Sequence, residues 1–287
     1  MNESEHVASG GFSRILYEVN GRVATITFNE PERMNPIGHG PGSMEAELLA
    51  ALERANEDDD VRCVVVTGAG RAFSSGGDLQ AIDGLETALD HLDFHDVAGR
   101  ANEAIRTNPK PVIGAINGLC YGYALVLATH FDLLVAVDTA EFGLIETRFG
   151  GSGVQTLPFL VGPQWARFLA ISGEVITARK AKEIGLVLEV FPEDVFQDKV
   201  YDLARRVAAM PAEGVMLNRR VINAAMMAMG WSVEQELALA LNAVISAARR
   251  EAKASDGRVL SAIFREDGWQ AYRQARDAPF SPPWLEE

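Results

Sequence analysis

Cysteine, basic charge and long apolar runs are all scarce in this sequence. The 287 residues include two cysteines, and 26 lysines plus arginines stand against 40 aspartates plus glutamates, for a formal net charge of −14. A phosphate backbone would be repelled by such a surface, so we expect no nucleic acid partner. Cys63 and Cys120 lie in apolar runs without the spacing of metal ligands. We therefore expect two buried thiols and no disulfide, as in a reducing compartment.

The first residues also lack the features of a targeting segment. MNESEHVASGGFSR has no apolar stretch of signal-peptide type, and no run in the chain approaches the roughly 18 apolar residues of a membrane span. We predict a cytoplasmic protein with no membrane partner and a flexible tail over residues 1–12. Hydrophobic residues make up 48% and charged residues 23%, which is typical of a globular domain with a sizeable core.

Strand and helix patterns alternate in the first two thirds of the chain. Ile15–Val19 and Val23–Phe28 flank Asn20-Gly21, which predicts a β-hairpin. Apolar residues at helical spacing predict a helix over Met44–Asn56. Apolar runs that include 63–66, 111–117 and 132–137 predict buried strands. This alternation favours an α/β core with a largely parallel sheet.

Helical periodicity dominates from Gly162 onward, with one short strand expected near Leu186–Phe191. We accordingly divide the chain into the tail, a core over residues 13–200 and a C-terminal helical region over residues 201–287. Val233, Leu237, Leu241 and Val244 give that region a long apolar face, which predicts an interface between subunits.

Two of the predicted strands end in glycine-rich corners that lead toward helices. Gly76-Gly77 follows the first such strand, and Gly122 follows the second, just before a helical run that starts at Tyr123. Backbone N–H groups at such corners can face an anion or a polarised oxygen. A turn without a role and a dinucleotide loop are the alternatives, although Phe73 occupies the third position after Gly70 and breaks the G-x-G-x-x-G spacing.

The segment Ala81–Pro111 has weak periodicity and carries a polar cluster before a helix-like run at Ala98–Arg106. We predict a solvated loop that could serve as a mobile lid. A metal site built on His91 and His95 is the alternative, but no third ligand matches it.

Four ordered motifs are similar to those of the crotonase, or enoyl-CoA hydratase/isomerase, superfamily. Asn29–Ile37 resembles N-R-P-x-x-x-N-A-L, and Gly70–Leu79 resembles G-x-A-F-(S/C)-x-G-(A/G)-D-L. Ile116–Asp132 aligns with I-N-G-x-x-x-G-G-G-x-E-L-A-x-x-x-D, and Phe142–Glu146 matches F-G-x-P-E. The resemblance runs from Ile15 to about Phe280.

This resemblance implies a fold of stacked β-β-α turns, a superhelix, with a C-terminal helical trimerisation region. It implies a homotrimer or hexamer. The implied ligand is an acyl-CoA thioester of the kind found in fatty acid metabolism, with coenzyme A as part of the substrate and no separate cofactor or metal.

The resemblance also assigns roles to residues. The backbone amides of Gly77 and Tyr123 would form an oxyanion hole for the thioester oxygen, and Glu146 would be the acid/base. The substrate-binding residues implied are Arg33, Met34, Asn35, Ala72, Ser75, Gly76, Gly77, Asp78, Leu79, Tyr121, Gly122, Tyr123 and Val126.

Val126 departs from the family pattern, because hydratases carry their first catalytic glutamate there. Valine cannot transfer a proton, so one carboxylate, Glu146, remains and one-base isomerisation is favoured over hydration. A non-catalytic acyl-CoA-binding relative and a C–C bond hydrolase of the same superfamily are the alternatives. Glu146 paired with Arg148 would be a structural carboxylate, and His130 is expected to fill the core rather than react.

Overall fold

Two sheets and a set of C-terminal helices form the chain in the computed structural model, which describes residues 11–82, 85, 87–151, 156–248 and 252–285. The strands are β1 (Ile15–Asn20), β2 (Val23–Phe28), β3 (Cys63–Gly68), β4 (Ala72–Ser74), β5 (Val112–Ile116), β6 (Leu119–Tyr121), β7 (Leu133–Val137), β8 (Glu141–Gly143), β9 (Val175–Thr177) and β10 (Glu189–Phe191). The helices are α1 (Met44–Glu57), α2 (Ala88–Thr107), α3 (Tyr123–Ala128), α4 (Leu157–Ser172), α5 (Ala178–Glu183), α6 (Glu193–Ala208), α7 (Ala212–Ala228), α8 (Trp231–Ala248) and α9 (Leu260–Asp277).

The larger sheet has the strand order β1-β2-β3-β5-β7-β10. β1 and β2 pair antiparallel as the predicted hairpin, and the remaining neighbours pair parallel. All six residues of β3 are buried, because a central parallel strand is covered on both faces. The largely parallel sheet expected from the alternating pattern is confirmed.

The smaller sheet has the order β4-β6-β8-β9 and stands beside the larger one. β4 follows β3 and β6 follows β5, so each central strand of the large sheet continues into a short strand of the small sheet before the next helix. This repetition is the stacked β-β-α arrangement that the motifs implied, and the predicted fold class is confirmed.

Aromatic side chains join the two sheets. The rings of Phe28 and Phe73 lie 5.3 Å apart, and those of Phe73 and Phe131 lie 6.2 Å apart. Both cysteines are fully buried free thiols, and burial raises the pKa of Cys63 to about 12. They act as small apolar core residues, as predicted.

The C-terminal helices divide between the core and the surface. The boundary predicted at residue 200 falls inside α6, whose Phe196, Val200 and Ala204 are buried in the main core. α7 has no buried residue, and it leads into α8. α9 forms a separate cluster of buried residues, Leu260, Ile263 and Tyr272, that packs against Leu79 and Phe149.

The loop predicted ahead of the helix-like run at Ala98–Arg106 is wrong, because α2 covers Ala88–Thr107 and so includes that run. Thr87 begins the helix with a capping box in which its hydroxyl accepts from the Asp90 N–H and the Asp90 carboxylate accepts from the Thr87 N–H. Such a cap offsets the weak amphipathic pattern that had favoured a loop. His91 is buried on this helix. Residues 83, 84 and 86 and the His95 side chain lie outside the described residues.

None of the helices in the described part of the chain is long and apolar enough to cross a membrane.

Candidate active site

A cavity of about 420 Å³ lies where the two glycine corners meet. α2, α8 and α9 contribute to its walls, together with the start of α3 and the loops that follow β2, β4 and β8. The residues that line it include Arg33, Met34, His39, Ser75, Gly76, Gly77, Asp78, Leu79, Phe94, Gly122, Tyr123, Val126, Glu146, Phe149, Phe264, Trp269 and Arg276.

The two corners touch through backbone atoms. Gly76 has a φ of +103°, and a Cβ built on it would lie 2.6 Å from the Tyr121 carbonyl oxygen and 3.4 Å from the Tyr123 nitrogen. A Cβ on Gly77 would lie 3.9 Å from Tyr123 Cβ. Only glycine permits this conformation and this approach together. The corners that the sequence singled out are therefore brought together at one site.

The backbone amides of Gly77 and Tyr123 belong to these two corners. Within the described residues the Gly77 N–H makes no hydrogen bond, whereas the flanking Asp78 N–H donates to the Ile37 carbonyl at 3.0 Å. Tyr123 is the first residue of α3, so its N–H lies at the positive end of the helix dipole.

Glu146 lies against the second corner on the short 3₁₀ turn Ile145–Phe149. A Cβ on Gly122 would lie 3.0 Å from Glu146 Oε2. Oε2 is buried and has no hydrogen-bond partner among the described residues. Burial raises the pKa of Glu146 from 4.5 to about 7, against smaller opposing effects of a backbone hydrogen bond and the charge of Arg276. A carboxyl group of this kind can take and return a proton near neutral pH.

The structural alternative for Glu146, an ion pair with Arg148, is not formed. Arg148 Nη1 lies 3.0 Å from Asp277 Oδ1, and its Nε donates to the Gly173 carbonyl at 2.8 Å. Arg276 also pairs with Asp277, at 2.7 Å. The Glu146 carboxylate therefore lies at the cavity without a salt bridge to either arginine.

Val126 lines the cavity one turn after Tyr123 and is 4% exposed. Its side chain presents methyl groups where a second proton-transfer group would be expected. Among the other carboxylates of the lining, Asp78 lies 3.0 Å from Arg33 in a partly exposed pair. The cavity thus combines one deeply buried carboxylate with an apolar side chain.

Ten of the thirteen predicted substrate-binding residues line the cavity, and Asn35, Ala72 and Tyr121 do not. Ala72 is a buried residue of β4. Tyr121 donates its hydroxyl hydrogen bond to Glu141, and burial, reinforced by that carboxylate, raises its pKa well above the ordinary value. Its hydroxyl is therefore engaged outside the cavity.

Asn35 fastens the loops around the site instead of lining it. Its Nδ2 donates to the carbonyls of Ala69 and Ala72, both at 2.9 Å, and its Oδ1 accepts from the Glu30 N–H at 2.8 Å. Met34 and Asn35 have φ values of +61° and +52°. Asparagine tolerates this left-handed region, whereas methionine does so at a cost, and such strain persists only where neighbouring contacts fix it.

Sequence reasoning missed a polar group on the wall beside Tyr123. His39 Nδ1 lies 2.6 Å from Glu45 Oε2, and the Tyr123 hydroxyl donates to Glu45 Oε1 at 3.0 Å. Burial, reinforced by Glu45, raises the pKa of Tyr123 well above its ordinary value. The available signal was a histidine in a glycine-rich loop, four residues after Asn35, followed by an acid in the first turn of a helix.

His130, two residues after the end of α3, belongs to the core. His130 is 6% exposed, does not line the cavity, and its Nδ1 lies 2.9 Å from the Val126 carbonyl oxygen. Burial lowers its pKa to about 4, so it is neutral at physiological pH. Within the described ranges, no cluster of three histidine, cysteine, aspartate or glutamate side chains is arranged to hold a metal ion.

Comparison with known proteins gives a consistent picture. Residues 18–281 match the family model described as enoyl-CoA hydratase/isomerase. The 1,2-epoxyphenylacetyl-CoA isomerase of Escherichia coli K12 is 33% identical over 74% of this chain and 82% of its own length. The structure of an enoyl-CoA hydratase/isomerase from Xanthobacter autotrophicus Py2 matches with a TM-score of 0.85 and 33% identity, over 94% of this chain and 99% of that one.

An enoyl-CoA hydratase from Mycobacterium smegmatis is similar as well, with a TM-score of 0.84 and 27% identity over 94% of this chain and 95% of that one. The fold and the site thus define an enzyme of acyl-CoA metabolism. The chain belongs to the enoyl-CoA hydratase/isomerase family, that is, the crotonase superfamily.

Proposed function

We propose that this chain isomerises acyl-CoA thioesters through an enolate, with Glu146 as the acid/base, and that it favours isomerisation over hydration. The observation that carries the proposal is the pairing of a buried Glu146 with a valine at position 126 in one cavity. The isomerase activity in the name of the Escherichia coli relative supports the same direction.

The amides of Gly77 and Tyr123 would bind the thioester oxygen. Removing a proton next to the thioester breaks a C–H bond and places its electron pair in an enolate, whose negative charge accumulates on that oxygen. Two N–H donors aimed at the oxygen stabilise this charge, and losing one such donor typically costs about 10²–10³ in rate.

Glu146 would take the proton from one carbon and return it to another. The carboxylate must be ionised to accept the proton and protonated to give it back, so a pKa of about 7 suits both steps near neutral pH. Hydration would need a further group to activate the attacking water or to protonate the substrate, and the Val126 side chain can do neither. Isomerisation returns the same proton and needs no water.

Arg33 and Met34 would contact the coenzyme end of the substrate. Arg33 is the more exposed partner of its pair with Asp78, with 40% of its side chain accessible, and it is a local cation in a strongly acidic chain. A surface pair of this kind contributes little to stability, so its guanidinium can engage a phosphate at small cost.

Glu146→Gln tests the proposal, because glutamine keeps the size and hydrogen bonding of the side chain but cannot transfer the proton. We expect 3-hexenoyl-CoA isomerisation to fall by at least about 10²-fold, while isothermal titration shows retained binding of hexanoyl-CoA. His130→Gln is the matched control, since that buried residue does not line the cavity. Full turnover in Glu146→Gln would contradict the proposal, and binding without turnover in the unaltered protein would favour an acyl-CoA binder.

A further inference from the structure

The wall beside Tyr123 carries a polar assembly that the proposed proton transfer does not use. It consists of His39, Glu45 and Tyr123, which we call the His39 wall. Side-chain exposure is 4% for His39 and 2% for Glu45. A carboxylate buried this deeply is costly unless both of its oxygens are paired. Here one oxygen faces the His39 ring and the other accepts from the Tyr123 hydroxyl.

The His39 ring is fixed in orientation. It meets Phe94 edge-on with ring centres 4.7 Å apart, and it meets Tyr123 edge-on at 4.9 Å. Glu45 holds Nδ1 at 2.6 Å. Two aromatic contacts and one short hydrogen bond leave the imidazole no freedom to turn, as in catalytic arrangements where a carboxylate orients a histidine.

Nε2 is the nitrogen of His39 that remains for a ligand. Within the described part of the chain, no hydrogen bond involves it, and His39 lines the cavity. Tyr123 links this nitrogen to the reacting end of the site, because its backbone belongs to the glycine corner while its ring contacts His39. A fixed polar atom in a largely apolar pocket typically sets substrate orientation and specificity.

We propose that His39 is a specificity-determining residue that hydrogen-bonds a hydroxyl group on the acyl chain beyond C3, so that the site takes acyl-CoA thioesters that are hydroxylated there. The inference rests on the proposed acyl-CoA substrate of this cavity. A hydroxyl group suits His39 in either protonation state, since it donates to neutral Nε2 and accepts from a protonated one. A ketone or ether oxygen would pair only with the protonated ring.

Binding measurements in the Glu146→Gln background test this without turnover. The ligands are hexanoyl-CoA and hexanoyl-CoAs with one hydroxyl at C5 or C6, measured by isothermal titration. We expect at least one hydroxylated ligand to bind about 10- to 100-fold more tightly than hexanoyl-CoA, the range for a hydrogen bond to a charged or strongly polar partner.

Glu45→Gln and Glu45→Gln/His39→Leu, each added to that background, isolate His39. The double change avoids leaving a buried carboxylate without its partner, and the single change is the matched control that keeps the imidazole. The preference for the hydroxylated ligand should survive Glu45→Gln and disappear with His39→Leu. Melting curves check that both proteins fold.

A lack of preference in the Glu146→Gln protein, or a preference that persists without His39, would overturn the inference. An equal loss of affinity for both ligands on removing His39 would overturn it as well, because the residue would then only shape the wall. Failure of every acyl-CoA to bind would instead overturn the proposed function, which separates the two.

Discussion

The surroundings of Glu146 set the pKa of its carboxyl group, and its protonation should therefore affect the free energy of unfolding. Its pKa is raised from 4.5 to about 7 by burial, so between these values the folded protein holds a proton that the unfolded chain releases. Stability from this group is fully present below pH 4.5 and is lost as pH rises through about 7. We expect the unfolding free energy of the unaltered protein to fall between pH 5 and 8 relative to that of Glu146→Gln, measured by urea denaturation. A parallel pH dependence of the two proteins would contradict the raised pKa.

Val126 provides a second test at the residue scale. General acid–base assistance from one positioned group is worth about 10²–10⁴ in rate, and valine supplies none. We expect slow hydration of crotonyl-CoA by the unaltered protein and faster hydration by Val126→Glu, followed by loss of the enoyl absorbance. Val126→Gln is the control of equal size that cannot transfer a proton. Hydration by the unaltered protein as fast as by Val126→Glu would refute the role given to this position.

Asn35 shows how one side chain joins several loops at the scale of elements. It ties the segment after β2 to the turn between β3 and β4. Asn35→Ala would remove hydrogen bonds to one backbone N–H and to two backbone carbonyls, at about 1–3 kcal/mol for each group left unpaired, so we expect a loss of at least about 2 kcal/mol in urea unfolding. Asn223→Ala, which removes a single side-chain bond to the Arg106 carbonyl, should cost about 1 kcal/mol. Similar losses of unfolding free energy in the two variants would show that Asn35 contributes no more than a single side-chain hydrogen bond.

The elements differ in how far the sequence predicts them. β3 and β5 are runs of apolar residues whose burial on both faces leaves a clear signal, and Gly76 and Gly122 mark corners because their φ values are positive. The sequence predicts only the second half of α2, since polar residues interrupt its apolar pattern before Ala98, although Thr87 and Asp90 form a recognisable capping box.

The site shows the same division. The motif locates Glu146 in the sequence. The absence of an ion pair between Glu146 and Arg148 depends on Asp277, which pairs with Arg148 from 129 residues away. The role of Glu45 also depends on tertiary contacts, because only the folded chain brings the Tyr123 hydroxyl, 78 residues away, to its carboxylate. Motifs thus indicate the residues that we propose to act on substrate, and tertiary packing decides which groups contact them.

At the scale of the whole molecule, α7 and α8 present an uncovered apolar face. Val221, Val233 and Val244 are 70%, 71% and 62% exposed, and Leu237 is 57% exposed. Large exposed apolar side chains in such number are typical of a subunit interface. We expect a homotrimer or a pair of trimers by light scattering at micromolar concentration, and dissociation in Val233→Arg/Leu237→Arg.

Leu188→Arg is the control for that experiment, because Leu188 is 59% exposed outside α7 and α8. It should leave the assembly intact. A monomer in the unaltered protein, or an assembly that persists in Val233→Arg/Leu237→Arg, would show that the apolar face serves another purpose.

The position of α9 in the chain affects how the protein is made. Phe264, Trp269 and Arg276 complete the cavity, and the buried cluster of α9 rests on Leu79 and Phe149. During synthesis these residues leave the ribosome after the strands, the glycine corners and Glu146, and domains begin to fold as they emerge. A nascent chain therefore contains the glycine corners and Glu146 before it contains the α9 wall of the cavity. Translation that stops short of Leu260 would release a product whose substrate cavity lies open to solvent and to chaperones that bind exposed apolar surface.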